Sequence, residues 1–153
     1  MEGNSSMINT TFLLAGKATF VVENNKGVSV TVQIKKTASK VHPVTGRPFP
    51  VGYFVSTRFQ NEPWQYQGIL DTAMTPARIR PTRNTQYSLS EHLGLSKRIA
   101  EWAISRVAAG VPIPAGYRLE HTNRCGKCAK MLRDDVSIAR GIGPDCARQM
   151  GMN

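Results

Sequence analysis

Apolar and polar side chains alternate without a break over residues 28–35: Val28, Val30, Val32 and Ile34 fall on one side, Ser29, Thr31, Gln33 and Lys35 on the other. A period of two predicts a β-strand with one buried face. The run Ala18–Glu23 precedes it, and Asn24-Asn25-Lys26-Gly27 lies between. That spacing predicts a hairpin with Gly27 at a positive φ. Residues 37–52 hold three prolines and two glycines and read as a loop, with Lys40 and Arg47 as candidate phosphate contacts. Two further strands are expected at Tyr53–Phe59 and Trp64–Leu70, turning through Gln60-Asn61-Glu62-Pro63. Four strands in succession predict an antiparallel meander. Tyr53, Phe59, Trp64 and Tyr66 alternate along the last two strands. Trp64 is expected in the core, while Tyr53 and Tyr66 suit either the core or the stacking of nucleobases.

The period changes over residues 96–110. Ile99, Trp102, Ala103 and Val107 recur at helical spacing, Ser96 suits an N-cap, Gly110 a C-terminal stop, and Pro112 lies beyond. The apolar stripe is expected to pack on the sheet, with Arg98 and Arg106 away from it. Between sheet and helix, Pro76 and Pro81 keep a connector extended, so that Arg78 and Arg80 point to the same side and Arg83 follows. The pattern predicts an α+β chain: a flexible tail over 1–11, a β-rich domain with one main helix over 12–115, and a small module over 116–153.

That last module carries the metal chemistry. The chain has three cysteines, and all lie within it, as His121-x3-Cys125-x2-Cys128-x17-Cys146. A C-x2-C turn lets both thiolates reach one ion, and Gly126 leaves its amides free to face the sulfurs. Gly143-Pro144-Asp145 predicts a helix start that presents Cys146. Zn2+ is the expected cofactor, with His121 as the leading fourth ligand. Asp145, His92, His42 and an open or water-bound position are the alternatives. Knuckle, turn and ligand-bearing helix resemble a treble-clef-like zinc finger, although the helix supplies one ligand where the common form supplies two. Gly141-Ile142-Gly143 with Ala147 also fits the turn of a helix-hairpin-helix module, whose amides grip a phosphate.

Composition narrows the partner. Among 153 residues, 20 Lys and Arg face 10 Asp and Glu, a net charge of +10. Such a balance favours a polyanion. The basic residues are spread along the chain rather than gathered in a tail. Arg78, Arg80, Arg83, Arg124, Lys127, Lys130, Arg140 and Arg148 are the candidate nucleic-acid contacts. The apolar run Phe12–Ala15 is too short for a signal peptide or a membrane span. A cytoplasmic location follows as the expectation, where thiols stay reduced and a C-x2-C pair points to metal rather than disulfides.

The string from Arg124 to Ala147, RCGKCAKMLRDDVSIARGIGPDCA, resembles a domain of unknown function common in small phage-encoded and prophage proteins. Its mark is C-G-x-C-x3-L, a Ser-Ile, then G-I-G-P-x-C. Here these are Cys125, Gly126, Cys128, Leu132, Ser137, Ile138, Gly141, Ile142, Gly143, Pro144 and Cys146. The resemblance implies a phage origin and a metal-binding C-terminus, and no activity. The leading expectation is a phage accessory protein that binds DNA or RNA. The alternative is an inhibitor of a host protein complex, such as a defence nuclease, a CRISPR complex or the transcription machinery. Catalysis is not expected: H-E-x-x-H, the H-x-E with P-C-x-x-C pattern and a phosphate loop are all missing from the sequence. Neither is a small-molecule substrate or a membrane.

Overall fold

The computed structural model describes residues 8–37, 43–47, 52–71, 73–85 and 93–152. Its strands are β1 (Lys17–Asn24), β2 (Ser29–Lys36), β3 (Tyr53–Phe59), β4 (Gln65–Leu70), β5 (Ile79–Arg80) and β6 (Tyr117–His121). They form one antiparallel sheet in the order β5-β4-β3-β2-β1-β6. The helices are α1 (Thr10–Leu13), α2 (Leu93–Ala109), α3 (Asp135–Arg140) and α4 (Pro144–Gln149). This is the expected α+β class, with the meander extended at both edges.

The β1–β2 turn is built by its own residues. Asn24 Oδ1 accepts from the amides of Lys26 and Val28 at 2.9 and 3.0 Å, and Gly27 takes φ +80°. The resulting register sets Ala18 opposite Ile34, Phe20 opposite Val32 and Val22 opposite Val30. All six are buried. Full burial of a Phe, Val or Ile side chain stabilises by about 1.5–3 kcal/mol, so this face anchors the fold. Helix α2 lies on it through Ala100, Ala103 and Ile104, none of which is exposed. Small residues at the contact let the helix backbone approach the strands. The contact therefore lies to one side of the expected stripe, whose Ile99, Trp102 and Val107 are only partly buried. The helix also begins at Leu93, and Ser96 is buried inside it rather than capping it. Gly110 ends it at φ +70°.

Strand β4 inverts the expected facing. Trp64 is 39% exposed, and Gln65 and Gln67 occupy the covered face instead. Gln67 Nε2 donates to Thr57 Oγ1 at 2.8 Å, a buried polar pair between neighbouring strands. A bulge between β3 and β4 and the bare backbone of Gly68 let β5 approach. A Cβ on Gly68 would stand 2.1 Å from the Arg80 carbonyl oxygen.

Two expected boundaries move. The tail ends earlier than residue 11: Ile8 is buried, and Asn9 Oδ1 caps α1 by accepting from the Phe12 amide at 3.0 Å. The C-terminal segment enters through β6, which pairs along β1 with Leu119 opposite Val22. Its first strand therefore completes the sheet rather than starting a separate body. Lys40, His42 and His92 lie outside the described residues. Among the described residues, no helix is long and apolar enough to cross a membrane.

Candidate metal centre

Beyond β6 the chain folds into a tight knuckle. Leu132 N–H donates to Asn123 O at 2.7 Å, Cys125 N–H to Lys130 O at 2.8 Å, and Ala129 N–H to Cys125 O at 2.8 Å. Closing this turn places Asn123 and Ala129 at φ +60° and +66°. The chain then rises into α3, whose N-cap is Asp134 and whose stop is Gly141 at φ +75°. Pro144 opens α4, which carries Cys146 in its first turn.

Together these turns bring Cys125, Cys128 and Cys146 within 4.8 Å of one another, sulfur to sulfur. One metal ion can hold all three. The chemistry of the donors fits: Cys125 Sγ accepts from the amides of Lys127 at 3.4 Å and Gly143 at 3.3 Å. Burial pushes the Cys125 thiol up, but the amides of Gly143, Cys128 and Lys127 outweigh it and bring the pKa down to about 7. Cys146 is pushed up to about 12, by burial first and then by its neighbours Cys128 and Cys125. Three thiols so close, one inclined to ionise and one resisting, are what a cation would resolve by holding all three as thiolates.

His121 does not join them. Its Nδ1 accepts from the Asn123 amide at 2.9 Å, so its Nε2 carries the proton and donates to Ile138 O at 2.6 Å. Both ring nitrogens are committed to joining β6 to α3. Asp145 pairs with Arg148, and neither residue is among the close sulfur ligands. Among the described residues, then, the cluster consists of the three cysteines.

The knuckle and the α3–α4 turn are clamped by the N-terminal segment. Phe12 is 1% exposed. A Cβ on Gly126 would stand 2.7 Å from Phe12 Cδ1, and one on Gly141 would stand 2.8 Å from the same atom. The amide of Gly126 donates to Gly141 O at 2.8 Å, and the amide of Lys17 donates to Gly126 O at 2.6 Å. Neither Phe12 nor Lys17 stood out in the sequence; the one signal was a glycine inside the C-x2-C.

The helix-hairpin-helix reading fails at its amides. Gly141 N–H is spent on Ser137 O at 2.8 Å and Gly143 N–H on Cys125 Sγ. The candidate nucleic-acid contacts also divide. Arg124 reaches Ala129 O at 3.2 Å, Lys127 reaches Gln149 Oε1 at 2.8 Å, and Arg140 reaches Ile142 O at 3.0 Å. Arg148 pairs with Asp145, while Lys130 is exposed. Arg78, Arg80 and Arg83 are exposed as well, but they lie around β5, at the edge of the sheet remote from β6.

No curated protein and no solved structure shows significant similarity to the chain. Residues 120–151, which contain all three cysteines, match the family described as "Family of unknown function (DUF6011)". The sequence resemblance is therefore to DUF6011, a family of unknown function, over the segment that builds the cysteine cluster.

Proposed function

We propose that this protein binds nucleic acid through a basic surface and that a structural Zn2+ held by Cys125, Cys128 and Cys146 fixes its C-terminal segment. Sulfur donors at this spacing, in a knuckle with amides facing the thiolate, favour zinc over hard cations. The observation that carries nucleic-acid binding is the fate of the acids. Asp71 holds Arg80, Glu23 holds Arg118 and Asp145 holds Arg148. Asp134 caps α3, and Glu101 accepts from the Ile79 amide at 2.7 Å. With these acids engaged locally, a chain of 20 Lys and Arg against 10 Asp and Glu keeps an excess of cations for a polyanion. The proposed role is binding rather than catalysis, in a phage-encoded accessory protein acting in the host cytoplasm.

Fluorescence anisotropy with labelled single strands and duplexes over a salt series tests this. The expected result is affinity that falls steeply with salt, by a slope of about 0.7–0.9 per phosphate neutralised. Salt-independent or absent binding rejects it. A second reading, an inhibitor that binds a host protein complex, draws on one feature. An apolar groove of about 510 Å³ runs between α2 and the β1–β2 hairpin, lined by Leu95, Ile99, Trp102 and Tyr117. That reading gains if the purified chain carries no nucleic acid but retains one defined host complex through washes at high salt.

A further inference from the structure

The sheet has a second face, which α2 does not cover. The register places a single row across it: Lys17 on β1 opposite Lys35 on β2, Lys35 opposite Phe54 on β3, Phe54 opposite Ile69 on β4, and Ile69 opposite Arg80 on β5. Four inter-strand steps make a row of about 19 Å. It is cationic at both ends and apolar in the middle. It also runs from the cysteine module, whose knuckle Lys17 touches, to the arginine connector at the far edge.

Two features of this row work against the stability of the free protein. Lys17 and Lys35 stand directly opposite each other on one face, and neither makes an ion pair among the described residues. Like charges so placed repel. Phe54 is 41% exposed in the centre of the sheet, with its ring 5.9 Å from that of Tyr66 and nearly perpendicular to it. Repelling cations beside an exposed aromatic ring suit a chain of phosphates that carries flat, stackable bases. A duplex offers the phosphates but keeps its bases stacked on one another.

Resting on the nucleic-acid reading above, we infer that the uncovered face is a platform for a single-stranded polynucleotide. A base stacks on Phe54, and Lys17 and Lys35 hold the flanking phosphates. Arg80 is kept in place by Asp71 at 2.8 Å and marks the strand's exit toward Arg78 and Arg83. The strand crosses the β-strands and leaves the cysteine cluster intact, so the metal orders the β1 edge without touching the ligand.

The test uses the full, metal-loaded chain with labelled oligo-dT, oligo-rU and a mixed-sequence duplex, read by anisotropy over a salt series. Single strands are expected to bind more tightly than the duplex, and the tighter of dT and rU identifies the sugar. Phe54→Ala weakens single-strand binding by about tenfold with the salt slope unchanged, and Phe54→Trp restores it. Lys35→Gln lowers the salt slope by about 0.7. Phe54 is 41% exposed and loses only its contact with Tyr66, so the melting temperature of Phe54→Ala should fall modestly while the chain stays folded in the assay, which separates lost stacking from lost folding. Duplex binding as tight as single-strand binding, with Phe54→Ala neutral, overturns the platform and leaves nucleic-acid binding standing. Failure of the wild type to bind any of the three at low salt overturns both.

Discussion

A Cβ on Gly126 would sit 2.7 Å from Cδ1 of Phe12, inside the distance at which carbon atoms can pack. An aromatic ring from the first helix thus closes directly on the C-x2-C knuckle, and the two ends of the chain share one piece of core. The module near the C-terminus owes its position to Phe12 as much as to its own cysteines.

Gly126→Ala tests that relationship. The added methyl must push Phe12 or the knuckle aside, and overpacking of this kind costs about 1–3 kcal/mol. The expected outcome is a lower melting temperature together with faster metal loss to a chelator. Phe12→Ala opens a cavity in the same place and should cost more, about 3–5 kcal/mol. A Gly126→Ala protein that melts and holds metal like wild type would show that the contact is slack.

His121→Ala separates ligand from strut. Because both imidazole nitrogens already hold backbone groups, at Asn123 and Ile138, the variant should keep the metal content of the wild type by elemental analysis. Each lost hydrogen bond costs about 0.5–1.5 kcal/mol, so its melting temperature should fall. Metal content halved or lost in a folded His121→Ala chain would restore the imidazole to the coordination sphere.

Cys125→Ser should abolish stoichiometric metal binding, and Cys146→Ser should weaken it severely. Chelation of the wild type should release about one metal ion and expose three thiols to a disulfide reagent. The β1–β3 core is held by buried cross-strand pairs and α2, none of them among the three cysteines, so limited proteolysis after chelation should cut within residues 122–152 and spare the centre of the sheet. Cuts spread evenly along the chain would mean that the metal holds the whole fold.

Asp134 supplies a pH-dependent element. The Ser137 amide, which donates to Asp134 Oδ2 at 3.0 Å, holds its carboxyl below the ordinary value of 3.8. The folded chain therefore keeps a carboxylate where the unfolded chain would take up a proton. The stabilisation is complete at neutral pH and is lost as pH falls through 3.8 toward the depressed folded value. Asp134→Ala should melt lower than wild type at pH 7, and the gap should narrow in acid. A gap that is constant down to pH 3 would assign the loss to helix propensity instead of the cap.

The β1–β2 hairpin was legible because its information is local: strict alternation in Val28–Ile34 and a turn that Asn24 and Gly27 can make alone. The cysteine cluster was legible for a similar reason, since spacing within one short segment limits where three sulfurs can meet. Strand β4 was not. In Trp64-Gln65-Tyr66-Gln67 the aromatic residues suggest one facing and the structure takes the other, because Thr57 on β3 offers Gln67 a buried partner and Gly68 admits β5. A one-residue change of register turns every side chain over, and a cross-strand partner is invisible to local pattern.

The hydrogen bonds of His121 were hidden on the same ground. Spacing placed an imidazole near the cysteines, but the carbonyl of Ile138, far along the chain, claimed it. By itself the sequence determined the α+β class, the main helix, the excess of cations and the three sulfurs, all properties of composition or of short-range period. Only the tertiary structure decided that Phe12 clamps the knuckle, that His121 is a strut, and that Lys17, Lys35, Phe54 and Arg80 form one row. Each of these joins residues from distant segments, and strand order and register, set by how the whole core packs, determine which distant segments meet.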